Sequence, residues 1–176
     1  MSIESYWEVI EPLFDAVDFG RGMKEFTASI ESIPRSAAIL FSAHMCLAEV
    51  HNGGFLQLFW NSAGMLVPEG VEGFAAIGMP ATANLLRQAA HVLGEPYPRE
   101  RDNRWDALLV ASGLHSRELE RIFKNSENLY LGFAQATQTL PFDEIEEEFW
   151  KTVETESGGF QEAATRYALD TSQTAK

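Results

Sequence analysis

The strongest constraint on the fold is a pair of adjacent glycines between two apolar segments. Residues 36–50 are largely apolar, and a second apolar run, residues 55–60, begins directly after Gly54. Adjacent glycines weaken a helix and permit positive φ. We therefore expect Asn52-Gly53-Gly54 to end one helix and start another with no loop between them. The second helix should end at Asn61-Ser62-Ala63-Gly64.

The rest of the chain also follows helical periodicity. Apolar residues recur at helical spacing from the N-terminus (Ile3, Trp7, Ile10, Phe14, Val17), and Pro12 predicts a kink or a break near Glu11. Further helices are expected at residues 55–61, 68–77, 80–93, 105–111, 116–124, 127–140, 143–156 and 160–169, with the longest loop at 94–103. No sustained β-alternation occurs. We predict an all-α fold with residues 36–50 as its buried central helix.

Length and composition favour one folded unit. The chain has 176 residues, of which 45% are hydrophobic and 22% charged, as in globular proteins. We expect a single compact domain over residues 1–176, built from about eight to ten short helices. The single cysteine, Cys46, lies in an apolar run and should be buried. The longest apolar stretch is too short and too polar to span a bilayer, so we expect a cytoplasmic protein.

A set of residues around the two glycines resembles the bacterial DNA-mimic protein family, whose shared domain otherwise has no known function. The set consists of Glu49, Asn52, Gly53, Gly54, Phe55, Asn61 and Gly64, and continues through residues 73–78. The resemblance covers residues 36–90. It implies an all-helical fold and, in the family's named member, a surface that occupies a DNA-binding protein in place of DNA. We interpret the motif residues as structural, with Asn52 supporting the helix end and Glu49 or Asn61 bonding free backbone groups there.

The charge balance points to basic partners. The sequence has 26 acidic and 13 basic residues, for a net charge of -13. Such a field repels nucleic acid and anionic membranes and attracts basic proteins, a DNA-binding regulator among them. The alternative is that acidity serves only solubility.

Acidic residues near the N-terminus form the first candidate surface. Glu4, Glu8, Glu11 and Asp15 recur at helical spacing, followed by Asp18, and no Lys or Arg precedes Arg21. On one continuous helix they would form a stripe opposite Trp7, Ile10 and Phe14. Carboxylates one turn apart lie about 5–6 Å from each other, a spacing compatible with DNA phosphates.

The second candidate surface lies near the C-terminus. Its acids are Asp143, Glu144, Glu146, Glu147, Glu148, Glu154 and Glu156. Asp143 should cap the helix and Glu146 should occupy the capping-box position. From both surfaces we select Glu4, Glu8, Glu11, Asp15, Glu144, Glu147, Glu148 and Glu154 as the partner-binding residues.

Other functions have weaker support. An immunity- or antitoxin-type protein would use the same acidity to neutralise a basic toxin. A small-ligand site could be centred on Glu49 and Asn61. No motif for a nucleophile or a phosphate loop accompanies those residues, so we expect no enzymatic activity and no cofactor. His44, Glu49 and His51 lack the His-Glu-x-x-His spacing of zinc enzymes, so we expect no metal site.

One basic cluster interrupts the acidity. Arg99, Arg101 and Arg104 alternate with Glu100 and Asp102 in the expected loop. A solvated loop that pairs its own charges is the simplest interpretation. The alternative is that Arg101 and Arg104 dock on an acidic face of a second copy and form a homodimer.

Overall fold

The computed structural model describes residues 4–174, and this part of the chain is helical with no strand. The α-helices are α1 (Trp7–Ile10), α2 (Leu13–Ala16), α3 (Met23–Glu31), α4 (Arg35–Trp60), α5 (Val67–Ala76), α6 (Pro80–His91), α7 (Arg101–Ala111), α8 (Ser116–Asn125), α9 (Leu129–Thr137), α10 (Phe142–Thr155) and α11 (Phe160–Thr174). Two 3-10 helices, Ser62–Leu66 and Glu156–Gly158, connect them. The predicted all-α fold is confirmed. None of the helices in residues 4–174 combines the length and apolar character of a membrane span.

The predicted helix break lies where the adjacent glycines stand. Gly53 has φ -176° and ψ 32°, and Gly54 has φ 74° and ψ -174°, whereas residues on both sides are helical. The helix resumes at Phe55 and ends at Trp60, and Asn61 is extended. The backbone of Gly54 occupies a region that side chains rarely adopt, so only glycine fits there without strain. Helix α4 thus consists of two segments, residues 35–52 and 55–60.

The core is built around the first segment of α4. Its residues Ala38 to Ala43 are all buried, and six phenylalanines from four helices are fully buried in the same core (Phe26, Phe41, Phe55, Phe59, Phe74, Phe149). Helix α5 approaches α4 closely because it carries glycines at the contact. A Cβ atom on Gly73 would lie 2.1 Å from the carbonyl oxygen of Ile39. Helices α6 and α10 complete this packing.

The N-terminal acidic residues do not share one continuous helix. Pro12 separates α1 from α2, so the predicted break near Glu11 is confirmed. Ile10 and Val17 are buried as expected, but Trp7 and Phe14 remain 40% and 42% exposed. The apolar repeat therefore does not form one buried face, because two single turns that meet at a proline do not present one continuous apolar face. Ile3 lies outside the described residues.

Two other elements differ from expectation. Helix α3 was not predicted, because Phe26 and Ile30 are its only buried residues and one such pair shows no period. Helix α7 begins at Arg101, so the loop after α6 is shorter than expected and covers residues 92–100. The backbone N–H of Arg104 donates to the carbonyl of Glu100 in the first turn of α7.

Candidate interaction surface

The four N-terminal candidate residues are all exposed. They are Glu4, Glu8, Glu11 and Asp15. The carboxylate of Glu8 accepts hydrogen bonds from the backbone N–H groups of Glu4, at 2.9 Å, and Ser5, at 3.2 Å. It therefore stabilises the turn that leads into α1. Within residues 4–174, the carboxylates of the other three make no ion pair or side-chain hydrogen bond.

Asp18 has a structural role at the end of this segment. Its side chain accepts from the backbone N–H groups of Gly20, at 2.9 Å, and Arg21, at 3.1 Å, and it pairs with the Arg21 guanidinium. The Gly20 N–H, followed by the contacts with Arg21, holds the pKa of Asp18 below its usual value. Asp18 therefore shapes the turn between α2 and α3.

Two acids of the C-terminal set point inward and cap other helices. Glu146 Oε2 accepts from the backbone N–H of Phe55 at 3.2 Å. The Glu156 carboxylate accepts from the backbone N–H groups of Ala81, at 2.8 Å, and Thr82, at 2.9 Å, and from the Thr82 hydroxyl at 2.7 Å. The Phe55 N–H lies at the start of the second segment of α4, and the other two lie in the first turn of α6. The first N–H groups of a helix have no acceptor within the helix, and this end favours negative charge. Glu146 and Glu156 thus join α10 to the core.

The remaining acids of this set are exposed along α10 and at its end. They are Asp143, Glu144, Glu147, Glu148 and Glu154. Glu147 pairs with Lys151 at 2.7 Å, and this hydrogen bond lowers the pKa of Glu147. The expected caps are wrong. Pro141 occupies the cap position of α10 and makes no side-chain cap bond, so Asp143 does not cap this helix. Glu146 accepts from the Phe55 N–H and does not form the capping box.

Both acidic segments border the same side of α4. At one end, the Tyr6 hydroxyl lies 3.3 Å from His44 Nδ1, and the Trp7 ring lies 5.5 Å from the His44 ring. At the other, Trp150 of α10 contacts the His51 ring edge-on at 5.6 Å. His44 and His51 are two helical turns apart, about 10 Å along the axis. Helices α1 and α10 therefore contact one stripe of α4.

The family motif residues form contacts around the α4 break and its end. Glu49 Oε2 accepts from the side-chain amides of Asn61, at 2.8 Å, and Gln57, at 3.3 Å. The expectation that Glu49 or Asn61 would bond free backbone groups is therefore wrong, since their side chains bond each other and Glu49 also bonds Gln57. Asn52 is exposed and its side chain makes no hydrogen bond within the described residues, so the expected support of the helix end is not formed. Phe55 is fully buried.

Arg104 is buried at the end of α4 and is not a loop residue. It is fully buried, and its guanidinium donates to the carbonyls of Phe59, at 2.9 Å, Asn61, at 2.7 Å, and Arg99. The bonds to Phe59 and Asn61 satisfy carbonyls at the end of α4, where a helix leaves carbonyls free and favours positive charge. A Cβ on Gly64 would lie 2.7 Å from Arg104 Nε, which explains the glycine in the motif.

The other two arginines, Arg99 and Arg101, also have partners within the chain. Arg99 donates to both carboxylate oxygens of Glu69, at 2.8 and 3.0 Å. The Arg101 guanidinium lies 5.0 Å from the centre of the Trp105 ring. A solvated loop paired within itself is therefore wrong, because the pairing partner of Arg99 lies on α5. A dimer contact through Arg104 is wrong as well, because Arg104 is buried.

His44 and Cys46 belong to the packing. The His44 ring contacts Tyr6, Trp7, Phe14 and Phe160, and burial lowers the pKa of His44. Cys46 is buried as predicted, and burial raises the pKa of its thiol. Residues 4–174 contain no group of three or more acids, histidines or cysteines arranged to hold a metal ion.

The structure describes a helical acidic protein with unpaired carboxylates on two segments that border α4, among others. The family model of DMP19-like proteins matches residues 31–171, and the chain belongs to this family. The match extends well beyond residues 36–90, on which the resemblance was recognised. No curated protein and no solved structure matches the chain.

Sequence reasoning missed two features of the surface and its support. Trp7 and Phe14 are exposed among the N-terminal acids, and Pro12 between them was the available signal. Arg104 was missed because its partners are backbone carbonyls, which leave no mark in the sequence. Gly64 was the indirect signal, since glycine often stands where another group approaches the backbone closely.

Proposed function

We propose that this protein is a non-enzymatic acidic interaction protein that occupies the nucleic-acid-binding face of a basic protein, such as a DNA-binding regulator. The observation that carries the proposal is the number of exposed carboxylates without a hydrogen bond or ion pair on two segments that border α4. Six carboxylates make no side-chain hydrogen bond or ion pair within residues 4–174: Glu4, Glu11 and Asp15 on one segment, and Glu144, Glu148 and Glu154 on the other. Glu8 and Glu147 add charge beside them.

Three further observations support this proposal. The family name refers to a DNA mimic. The net charge of -13 gives the protein a field that attracts basic partners. The acids that the fold needs, Glu146 and Glu156, are separate from the unpaired ones, so the unpaired acids stabilise no contact of their own. Neighbouring carboxylates repel each other by a few tenths of a kcal/mol per pair, a cost that a basic partner would relieve.

Capture from a lysate of the source organism tests the proposal. The tagged full chain should recover a nucleic-acid-binding protein at low salt, and high salt or added duplex DNA should release it. A partner retained at high salt in the presence of DNA would contradict mimicry. Recovery of a basic toxin that DNA does not displace would favour an immunity-type protein instead.

A charge-matched pair of variants tests the surface. The first variant carries Gln at Glu11, Glu144, Glu148 and Glu154. The control carries E31Q, D106N, E120Q and E127Q, four exposed acids on other helices or the loop before α9. Both variants lose four negative charges and differ only in where they lose them. We expect the first variant to lose the partner and the control to retain it; equal losses would mean that only net charge matters.

A further inference from the structure

An exposed aromatic pair lies within the N-terminal acidic segment. The Trp7 and Phe14 side chains are 40% and 42% exposed, and their ring centres are 5.6 Å apart. Both rings also contact the His44 ring, at 5.5 and 6.1 Å, and Phe14 packs edge-on against the buried Phe41 at 5.2 Å. The pair is therefore held by the core on one side and open on the other.

Acidic residues flank this pair in the chain. The backbone N–H of Glu11 donates to the Trp7 carbonyl at 2.8 Å, and the Phe14 N–H donates to the Glu11 carbonyl at 3.3 Å. Glu11 is thus one turn from each aromatic residue, where side chains come within about 5–6 Å. Glu8 and Asp15 directly follow Trp7 and Phe14 in the chain, and no Lys or Arg precedes Arg21.

This combination selects a cation with a flat, weakly hydrated face. Aromatic rings attract cations through their faces, and arginine stacks on them while its N–H groups pair with carboxylates. An uncharged apolar partner would leave Glu8, Glu11 and Asp15 without a counter-charge. Lysine can meet the charge but does not stack.

We propose that the surface formed by Trp7, Phe14, Glu8, Glu11 and Asp15 receives an arginine side chain of the basic partner. The guanidinium stacks on the exposed aromatic pair and donates hydrogen bonds to the acids beside it. This inference rests on the proposed function and adds to it, because it distinguishes arginine from positive charge in general. Nucleic-acid-binding faces carry arginines that pair with phosphate, and these are the side chains that a mimic would engage.

Binding of two synthetic peptides to the full chain tests the inference. The probes are octa-arginine and octa-lysine, which carry the same charge, titrated at low salt. We expect octa-arginine to bind wild type about two- to fivefold more tightly, and W7L or F14L to abolish that preference while retaining binding of octa-lysine. L131A removes a side chain of similar exposure from α9 and should leave both affinities unchanged. Thermal unfolding of each variant verifies that it is folded.

The indole N–H signals in a ¹⁵N-edited NMR spectrum locate the arginine peptide. The chain has four tryptophans, and the signal lost in W7F identifies Trp7. Octa-arginine should shift the Trp7 signal, whereas the signal of Trp60, which stacks on Trp105 at 4.2 Å, should stay in place. This measurement does not depend on the stability of a variant.

The outcomes separate the inference from the proposed function. Equal affinity for both peptides, unaffected by W7L and F14L but weakened by the four-glutamine variant, would overturn the arginine site and leave the acidic surface intact. No binding of either peptide at low salt would overturn both. An arginine preference that survives W7L and F14L, with an unmoved Trp7 signal, would place arginine recognition elsewhere and overturn the inference.

Discussion

The carboxylate of Glu146 accepts a hydrogen bond from the backbone N–H of Phe55, which lies 91 residues earlier in the chain. Gly54, which turns the backbone out of the helix, leaves that N–H without an acceptor from its own helix. A Cβ on Gly54 would lie 2.3 Å from the same Glu146 oxygen. The helix break and the glutamate therefore depend on each other: the glycine provides the space and the free donor, and α10 provides the acceptor.

Substitution of Glu146 should destabilise the protein although it lies in an acidic run. E146A removes a helix cap, and we expect the free energy of unfolding to fall by about 1–2 kcal/mol. E148A, on the exposed side of the same helix, should change it by less than about 0.5 kcal/mol. Urea unfolding followed by circular dichroism measures both. If the two variants were equally stable, the Glu146 contact would contribute nothing.

Substitution of Arg104 should lower the free energy of unfolding more than substitution of Glu146. R104M leaves the carbonyls of Phe59, Asn61 and Arg99 without their donor, and unsatisfied buried groups cost about 1–3 kcal/mol each. We expect a loss of about 3 kcal/mol or more in the free energy of unfolding. R101M removes only an exposed contact with Trp105 and should cost less than about 1 kcal/mol. A mild effect of R104M would show that water can replace the guanidinium.

The close contact between α4 and α5 predicts that replacing Gly73 by alanine has the opposite effect on stability from the same change in an open helix. In an open helix, replacing glycine by alanine stabilises by about 1 kcal/mol. G73A should instead destabilise by about 2 kcal/mol or more, because the new Cβ would overlap the Ile39 carbonyl and force the helices apart. G20A meets nothing nearer than 3.9 Å and serves as the control. Thermal unfolding distinguishes them, and a stabilised G73A would refute the close contact.

His44 should make stability dependent on pH. Burial lowers its pKa in the folded protein, so as pH falls through the ordinary value of about 6.5 the unfolded chain takes up the proton first. The contribution of His44 is therefore intact at higher pH and declines until the pH is below the folded pKa. The stability of wild type relative to H44Q should decrease between about pH 7.5 and about pH 5.

Chemical denaturation at each pH measures this difference. H91Q replaces an exposed histidine of α6 and provides the comparison. If the difference in the free energy of unfolding between wild type and H44Q stayed constant across this pH range, folding would leave the pKa of His44 unchanged.

The sequence predicted the parts of the fold that local chemistry determines. Adjacent glycines, or a proline inside an apolar helical repeat, break a helix locally, so the breaks at Gly53-Gly54 and Pro12 were predictable from the chain. The roles of Glu146, Glu156 and Arg104 were not, because each bonds backbone groups that are distant in the sequence. A carboxylate that caps a remote helix and one that faces solvent look the same in a run of acids. The partner-binding role of the exposed acids stays a prediction.

The burial of Cys46 has a practical consequence for observing this protein in solution. Its thiol is enclosed by the core and held in its protonated form, so alkylating reagents should find no reactive sulfur in the folded chain. A cysteine introduced at an exposed position such as Glu144 would then be the sole site of labelling. Fluorophores or spin labels can therefore be attached beside either acidic segment without first removing Cys46.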